Sequence, residues 1–505
     1  MQSPSQPKPV AIARTDPTYP GDFPYNPQFP YPEYGDRPLS TARNPAYEGV
    51  RECFRLLGYD RENFGTPAWN PLGGLVRPGQ HVFIKPNLVA HEYRTSSGRS
   101  GDLFSVITHP SVVRAVADYV AIALHGQGEI TIGDNPSIDA DFAKICERTG
   151  LDQFAAFYPK TFGVSCRVLD LRPRKTDNLA YYGFKSRTVP QPGDPAGSSV
   201  LNLGKKSLFF GMNPLLFRGV FTKRWETIRH HHGDTHEYCL SNSILNADVY
   251  ISIPKLKTHH KVGATLNIKG LVGANANKNY LIHWRIGFPS FGGDEYPSFG
   301  RLSDQIVLTT RHLLLDLLPE SWFLRLRKAF RNTRLGIFFH DTKCVSFNMT
   351  RGSWEGNDTC WRMAADLYNV FVKDMAGWRR NQGREMRFFS VVDGLLAGER
   401  DGPFYPDEKR AGVILAGEDL LSVDCVAARL MDFRVSAVPY IKELLKEAGR
   451  TDADIPVVTE DWPVQNFFAP GVKYLNFVPP SGWHRLAERD LLPDPMPPTS
   501  PHSRE

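Results

Sequence analysis

The sequence predicts an α/β fold: a mostly parallel, Rossmann-like sheet with helices on both faces, interrupted by insertions. Two observations carry this expectation. Short, largely apolar runs alternate along the chain with longer segments of helical periodicity, the pattern of strands joined by crossover helices. Strands that alternate with helices in this way argue for a mostly parallel sheet covered on both faces. The chain has 505 residues, 41% of them hydrophobic and 23% charged, enough to bury a core without disulfides or metals. That composition excludes a collagen, a coiled coil, a disulfide mini-protein and a wholly disordered chain.

The elements follow in order. Residues 1–45 form a Pro- and Tyr-rich arm in which Val10–Arg14 (VAIAR) is a first strand. The stretch YPGDFPYNPQFPYPEYGDRP is irregular, because proline blocks helices and ladder pairing; its aromatic rings are expected to pack onto the domain. Residues 46–435 form the α/β domain. NPAYEGVRECFRLLGY is an amphipathic helix stopped by Gly58. His81–Ile84 is a strand. THPSVVRAVADYVAIALHG is a helix with Thr108 as cap, Pro110 in its first turn and Gly126 as its stop. Glu129–Ile132 is a strand, and DADFAKICERTG is a helix. Val249–Ile253, Phe388–Val392 and Gly412–Leu415 are further strands, and LLSVDCVAARLM is a helix. Insertions are expected near 185–225 and 284–342. Residues 436–505 are an extension that loses periodicity beyond Glu460 and ends in LLPDPMPPTSPHSRE, expected to be disordered.

The 60 basic and 54 acidic residues leave a net charge of +6. With no dense Lys/Arg stripe, a nucleic-acid partner is not expected. The seven cysteines are scattered, and no two are spaced C-x-x-C. They read as free buried thiols in a reducing compartment, and an iron–sulfur cluster is not expected. MQSPSQPKPVAIARTD lacks an apolar signal core, and no run of 18 apolar residues exists, so the expected location is cytoplasmic.

Polar residues gather just past the strands. Lys85 and Asn87 follow the first domain strand, Asp134 the second, Lys255, Lys257, His259 and His260 the third, and Asp393 the fourth. In an open α/β sheet these positions rim the ligand crevice. Residues 230–283 hold seven of the fifteen histidines. Within them, His230, His232, Asp234 and His236 are a candidate divalent-metal set by ligand chemistry, though their spacing matches no metal signature. PKLKTHHKVGATLNIKGLVG places lysines among Thr and Gly, which describes an anion site. No Walker loop, dinucleotide fingerprint or nucleophile elbow is present.

These blocks carry a resemblance. IKPNLV (84–89), THPSVV (108–113), IGDNPS (132–137), IPKLKTHHKVGATLNIKGLVG (253–273), a downstream His283, VVDGLLAGERDGP (391–403) and DLLSVDCVAARLM (419–431) stand in an order similar to the bacterial and archaeal family called domain of unknown function 362. The resemblance spans roughly residues 46–435 and implies an α/β fold. Some members carry a ferredoxin-like cysteine module, which this chain lacks. The family's usual Lys-Asn in this block reads Lys269-Gly270 here.

The expected function is an enzyme acting on a small phosphate- or carboxylate-bearing substrate. Lys85, Lys255, Lys257 and Lys269 would hold the anion, and Asn87 and Thr108 would orient it. His259 or His283 would move a proton, with Asp134 and Asp393 fixing the histidines or binding a divalent metal. Asp424 is placed behind the site, or as a cap or internal ion pair. Two alternatives stand beside this: a metal- or cofactor-binding redox protein without catalysis of its own, and a peripheral membrane adaptor through 311–339, an apolar, aromatic and basic segment that Pro319 would split.

Overall fold

The computed structural model describes residues 7–93, 101–176, 188–219, 224–299, 301–317, 320–330, 332–333, 351–381 and 383–487. Its centre is a ten-stranded sheet. In chain order the strands are β1 (Val10–Arg14), β2 (His81–Pro86), β3 (Glu129–Asp134), β4 (Ser165–Asp170), β5 (Val249–Ile253), β6 (Lys255–His259), β7 (Gly263–Thr265), β8 (Arg387–Asp401), β9 (Tyr405–Gly417) and β10 (Val457–Val458). Across the sheet they run β10-β1-β9-β8-β5-β2-β3-β4, with β6 pairing β8 and β7. The core β8-β5-β2-β3-β4 is parallel. β9 and β1 add an antiparallel margin. The expected α/β fold with a mostly parallel sheet is therefore the observed one.

Alternate residues of the strands face opposite cores, as the pleat requires. Val82, Ile84, Ile130, Ile132, Ile251 and Phe389 join side chains of the helices Pro45–Leu56, Pro110–Leu124 and Phe154–Phe162. Phe83, Tyr250, Val392, Val413 and Leu415 join the helices Cys360–Tyr368, Leu420–Leu430 and Pro439–Ala448. Both faces of the sheet are thus covered by helices.

The arm is built into the fold. β1 pairs β9, and β10 pairs β1, so both terminal segments enter the sheet. The arm's aromatics pack as expected: Tyr25 and Tyr34 are buried, and Tyr19 stacks on His109 with ring centroids 3.9 Å apart.

Three local expectations change. The cap of the helix Pro110–Leu124 is His109, whose Nδ1 accepts from Ser111 N at 3.1 Å; Thr108 is occupied elsewhere. The residues past Val249–Ile253, expected only as polar residues beyond a strand, form a strand of their own, because Pro254 interrupts the ladder for one residue only and β6 resumes against β8. The strands around Phe388–Val392 and Gly412–Leu415 are far longer than the apolar runs, reaching 15 and 13 residues as one hairpin.

Six of the seven cysteines are described, and all six are free and buried. Cys344 and the Pro-rich end 491–505 lie outside the described residues, as does part of 311–339. Helices span Leu302–Leu317 and Glu320–Ala329, while Pro319 between them is outside the description. Among the described residues no helix is long and apolar enough to cross a membrane.

Candidate functional site

A cavity of about 260 Å³ opens at the carboxyl ends of the parallel strands. Its wall includes Lys85, Asn87, Asp134, Lys257, Lys269, His259 and His283, so seven of the ten residues expected in catalysis or substrate binding do converge there.

β2 and β3 deliver the first pair. Lys85 Nζ lies 2.8 Å from Asp134 Oδ1, both side chains being buried. The carboxylate is held in turn by Leu88 N–H at 2.7 Å and Asn135 N–H at 2.9 Å. A buried ion pair needs such extra hydrogen bonds to offset its desolvation. Gly273 is what lets the chain pass over this pair: a Cβ there would sit 2.0 Å from Asp134 Oδ1 and 2.6 Å from Lys85 Nζ.

β6 carries Lys257 and His259. Lys257 Nζ donates to the carbonyls of Val106 (2.6 Å) and Pro403 (3.1 Å). Its pKa is pushed well below the ordinary value, by burial first and then by Lys255 and Lys269. His259 Nδ1 accepts from Lys261 N–H at 3.0 Å. A neutral ring that accepts at Nδ1 carries its proton on Nε2. His283 is the opposite case: its Nδ1 is 3.4 Å from the Leu281 carbonyl, which can only accept, so the lone pair is on Nε2. Burial drives both pKa values well down, and the Lys269 charge lowers them further. The two rings are thus neutral, one presenting N–H and the other a lone pair.

Lys269 stands on the short helix Asn267–Gly270. Asp424 anchors that helix, accepting from Asn267 N–H (2.9 Å), Ile268 N–H (3.0 Å) and Asn267 Nδ2 (2.9 Å). Asp424 is therefore a support behind the site. Its pKa is pushed up to about 7 by burial.

Further residues complete the wall, Lys261 of the expected anion block among them. Lys261 donates to the Arg351 carbonyl and, at 3.5 Å, to Ser353 Oγ. Lys278 donates to the Asn135 (3.0 Å) and Val272 (3.3 Å) carbonyls. Burial pushes Lys261 down to about 8 and Lys278 down to about 7. Asn135 Oδ1 and Thr265 Oγ1 are buried on the wall without a hydrogen-bond partner, where buried polar atoms are as a rule paired. Lys261 was legible as one of the lysines set among Thr and Gly in the anion block. Lys278, in ANANKN, carried no such signal.

Three expected site residues are elsewhere. Lys255 and Asp393 form a wholly buried pair at 2.8 Å, away from the cavity wall. Asp393 also accepts from Tyr19 OH (2.5 Å) and His109 N–H (2.9 Å), so the pair is satisfied inside the fold. Thr108 donates to the Ile253 carbonyl (2.7 Å) and accepts from Asn87 N–H (2.9 Å). It fixes the backbone of Asn87 and is not part of the cavity wall. A Thr108→Val chain should lose about 1–3 kcal/mol of stability, read as a lower denaturation midpoint; an unchanged midpoint would contradict this role.

The metal set does not assemble. His230 Nδ1 bonds Glu237 at 2.8 Å and the ring stacks on Tyr280. His232 and Asp234 sit on the exposed part of a hairpin, while His236 pairs in register with His231 and is buried. Alternation along the strand sends His232 and His236 apart. Among the described residues no group of three or more His, Cys, Asp or Glu side chains could hold a metal ion.

The family model described as domain of unknown function, DUF362, matches residues 82–190 and 210–429. The chain belongs to this family. Every residue lining the cavity falls inside the two spans matched to DUF362. The break between them, 191–209, lies within the insertion expected near 185–225. No curated protein matches the chain at a significant level.

Proposed function

We propose that the protein is an enzyme that acts on a small anionic substrate, phosphate- or carboxylate-bearing, in this cavity. One observation carries the reading: the wall bears five lysines against two carboxylates, Asp134 and Asp401. Buried like charges repel, and an entering anion relieves them. The unpaired Asn135 Oδ1 and Thr265 Oγ1 add contacts for hydroxyl or N–H groups of the same ligand. His259 Nε2–H would donate to a substrate oxygen, and His283 Nε2 would accept a proton.

Sulfate is a suitable probe because its own charge is constant between pH 6 and 9. Calorimetry should show saturable binding, weakened at least about tenfold in Lys269→Ala, by the loss of one charge-assisted contact. The pH dependence has a definite sign. Burial holds Lys278 down at about 7 and Lys261 at about 8, and a bound anion raises both. Above pH 8 binding must therefore take up protons, and affinity must fall as pH rises through 7 to 9. Heats measured at pH 8.5 in buffers of different ionisation enthalpy should reveal that uptake. Absence of saturable sulfate binding, or proton release, would overturn the reading.

A further inference from the structure

We propose that Lys269 is the nucleophile of this cavity, and that its substrate is an anion bearing an aldehyde or ketone carbonyl, captured as a Schiff base. The proposal rests on the anion-binding reading above and adds the bond that is made there.

The first argument is an account of lysine partners. Lys85 is paired with Asp134. Lys257, Lys261 and Lys278 each donate to two fixed oxygens. An amine committed in this way would have to abandon those bonds to attack a carbonyl. Lys269 lines the same cavity, and among the described residues its Nζ has neither a hydrogen bond nor an ion pair.

The second argument is electrostatic position. The Lys269 charge is felt at Lys257, His259, His260, Lys278 and His283, which sets it amid the cationic and imidazole groups of the wall. Burial outweighs the buried Cys360 thiol, which favours the cation, and with Lys85 shifts Lys269 toward its neutral form, the form that attacks; an amine activated by desolvation and a nearby cation is a known route to Schiff-base chemistry.

The third argument is the pair of histidine tautomers. His259 offers Nε2–H, a donor suited to polarising a carbonyl oxygen while the ring stays neutral. His283 offers a lone pair that can carry a proton between nitrogen and oxygen. The remaining cations hold the anionic group of the substrate.

The step balances without any oxidant or reductant. The Lys269 nitrogen attacks the carbonyl carbon, and the C–O π electrons move to oxygen. That oxygen takes one proton from the attacking nitrogen to give the carbinolamine, then the proton that the ammonium gave up before attack, and leaves as water while the C=N bond forms. Overall, ammonium plus carbonyl gives iminium plus water.

The test uses glyoxylate, a small carboxylate aldehyde, with sodium cyanoborohydride at pH 7, read by intact mass and peptide mapping. A surface lysine is neutral in only about 4 parts in 10⁴ at that pH. One adduct per chain should form on Lys269, at least about tenfold faster than on any other lysine. Lys269→Arg keeps a cation without a nucleophile; it should bind sulfate and form no fast adduct. Labelling spread over surface lysines, or a fast adduct surviving in Lys269→Arg, would overturn the proposal. If the parent protein binds sulfate yet forms no fast adduct, the nucleophile assignment fails and the anion site stands. If it does neither, both fail.

Discussion

Replacing Asp393 with alanine is expected to destabilise the protein by about 3–5 kcal/mol, the usual result of removing one partner of a buried ion pair. Lys255 is wholly buried, and its ammonium would keep only Tyr19 OH, at 2.8 Å. Tyr19 OH and His109 N–H would lose their acceptor as well. The loss reaches beyond β8, because Tyr19 belongs to the N-terminal arm and His109 caps the helix Pro110–Leu124. Chemical denaturation should show a much lower midpoint. The double variant Lys255→Met/Asp393→Leu should recover most of the stability, since an apolar pair removes both charges together. An Asp393→Ala chain as stable as the parent would mean that the pair does not hold the fold together.

Gly273→Ala should disrupt the cavity with one methyl group. Its φ is not in the left-handed region, so the requirement for glycine is contact and not backbone conformation. The new Cβ would need the space of Asp134 Oδ1 and Lys85 Nζ. Neither can retreat cheaply, because Asp134 is bonded to two backbone N–H groups, and the Gly273 carbonyl itself accepts from Asn135 N–H at 3.0 Å. Parting the pair should cost about 3–5 kcal/mol and abolish saturable sulfate binding. Gly270→Ala is the control: nothing lies within 4 Å of its added Cβ, and alanine is favoured over glycine in a helix by about 0.5–1 kcal/mol. Equal sulfate affinity in Gly273→Ala and the parent protein would refute the close packing described for this corner.

Much of the site was legible because its residues sit where strands end. Lys85, Asn87 and Asp134 follow or close apolar runs, and the run itself marks the carboxyl rim of the sheet. His259, Lys257 and Lys269 came from composition within one block. The histidine cluster at 230–236 misled, because counting residues in a window says nothing of which face each takes. One strand step separates His231, buried against the Tyr280 carbonyl at 2.8 Å, from His232 in solvent.

The sequence by itself determined the sheet class, six of the ten strands of the sheet, and the carboxyl rim where the candidate residues gather. Those follow from hydrophobic periodicity, which is a local property of the chain. The tertiary structure decided which charges face the cavity. Lys255 and Lys257 are two residues apart on one strand and look alike in sequence. Lys255 meets Asp393, 138 residues away, and is neutralised inside the core, whereas Lys257 meets only carbonyl oxygens and lies on the cavity wall. A carboxylate brought in from another strand makes that difference, and no local pattern records where it will land.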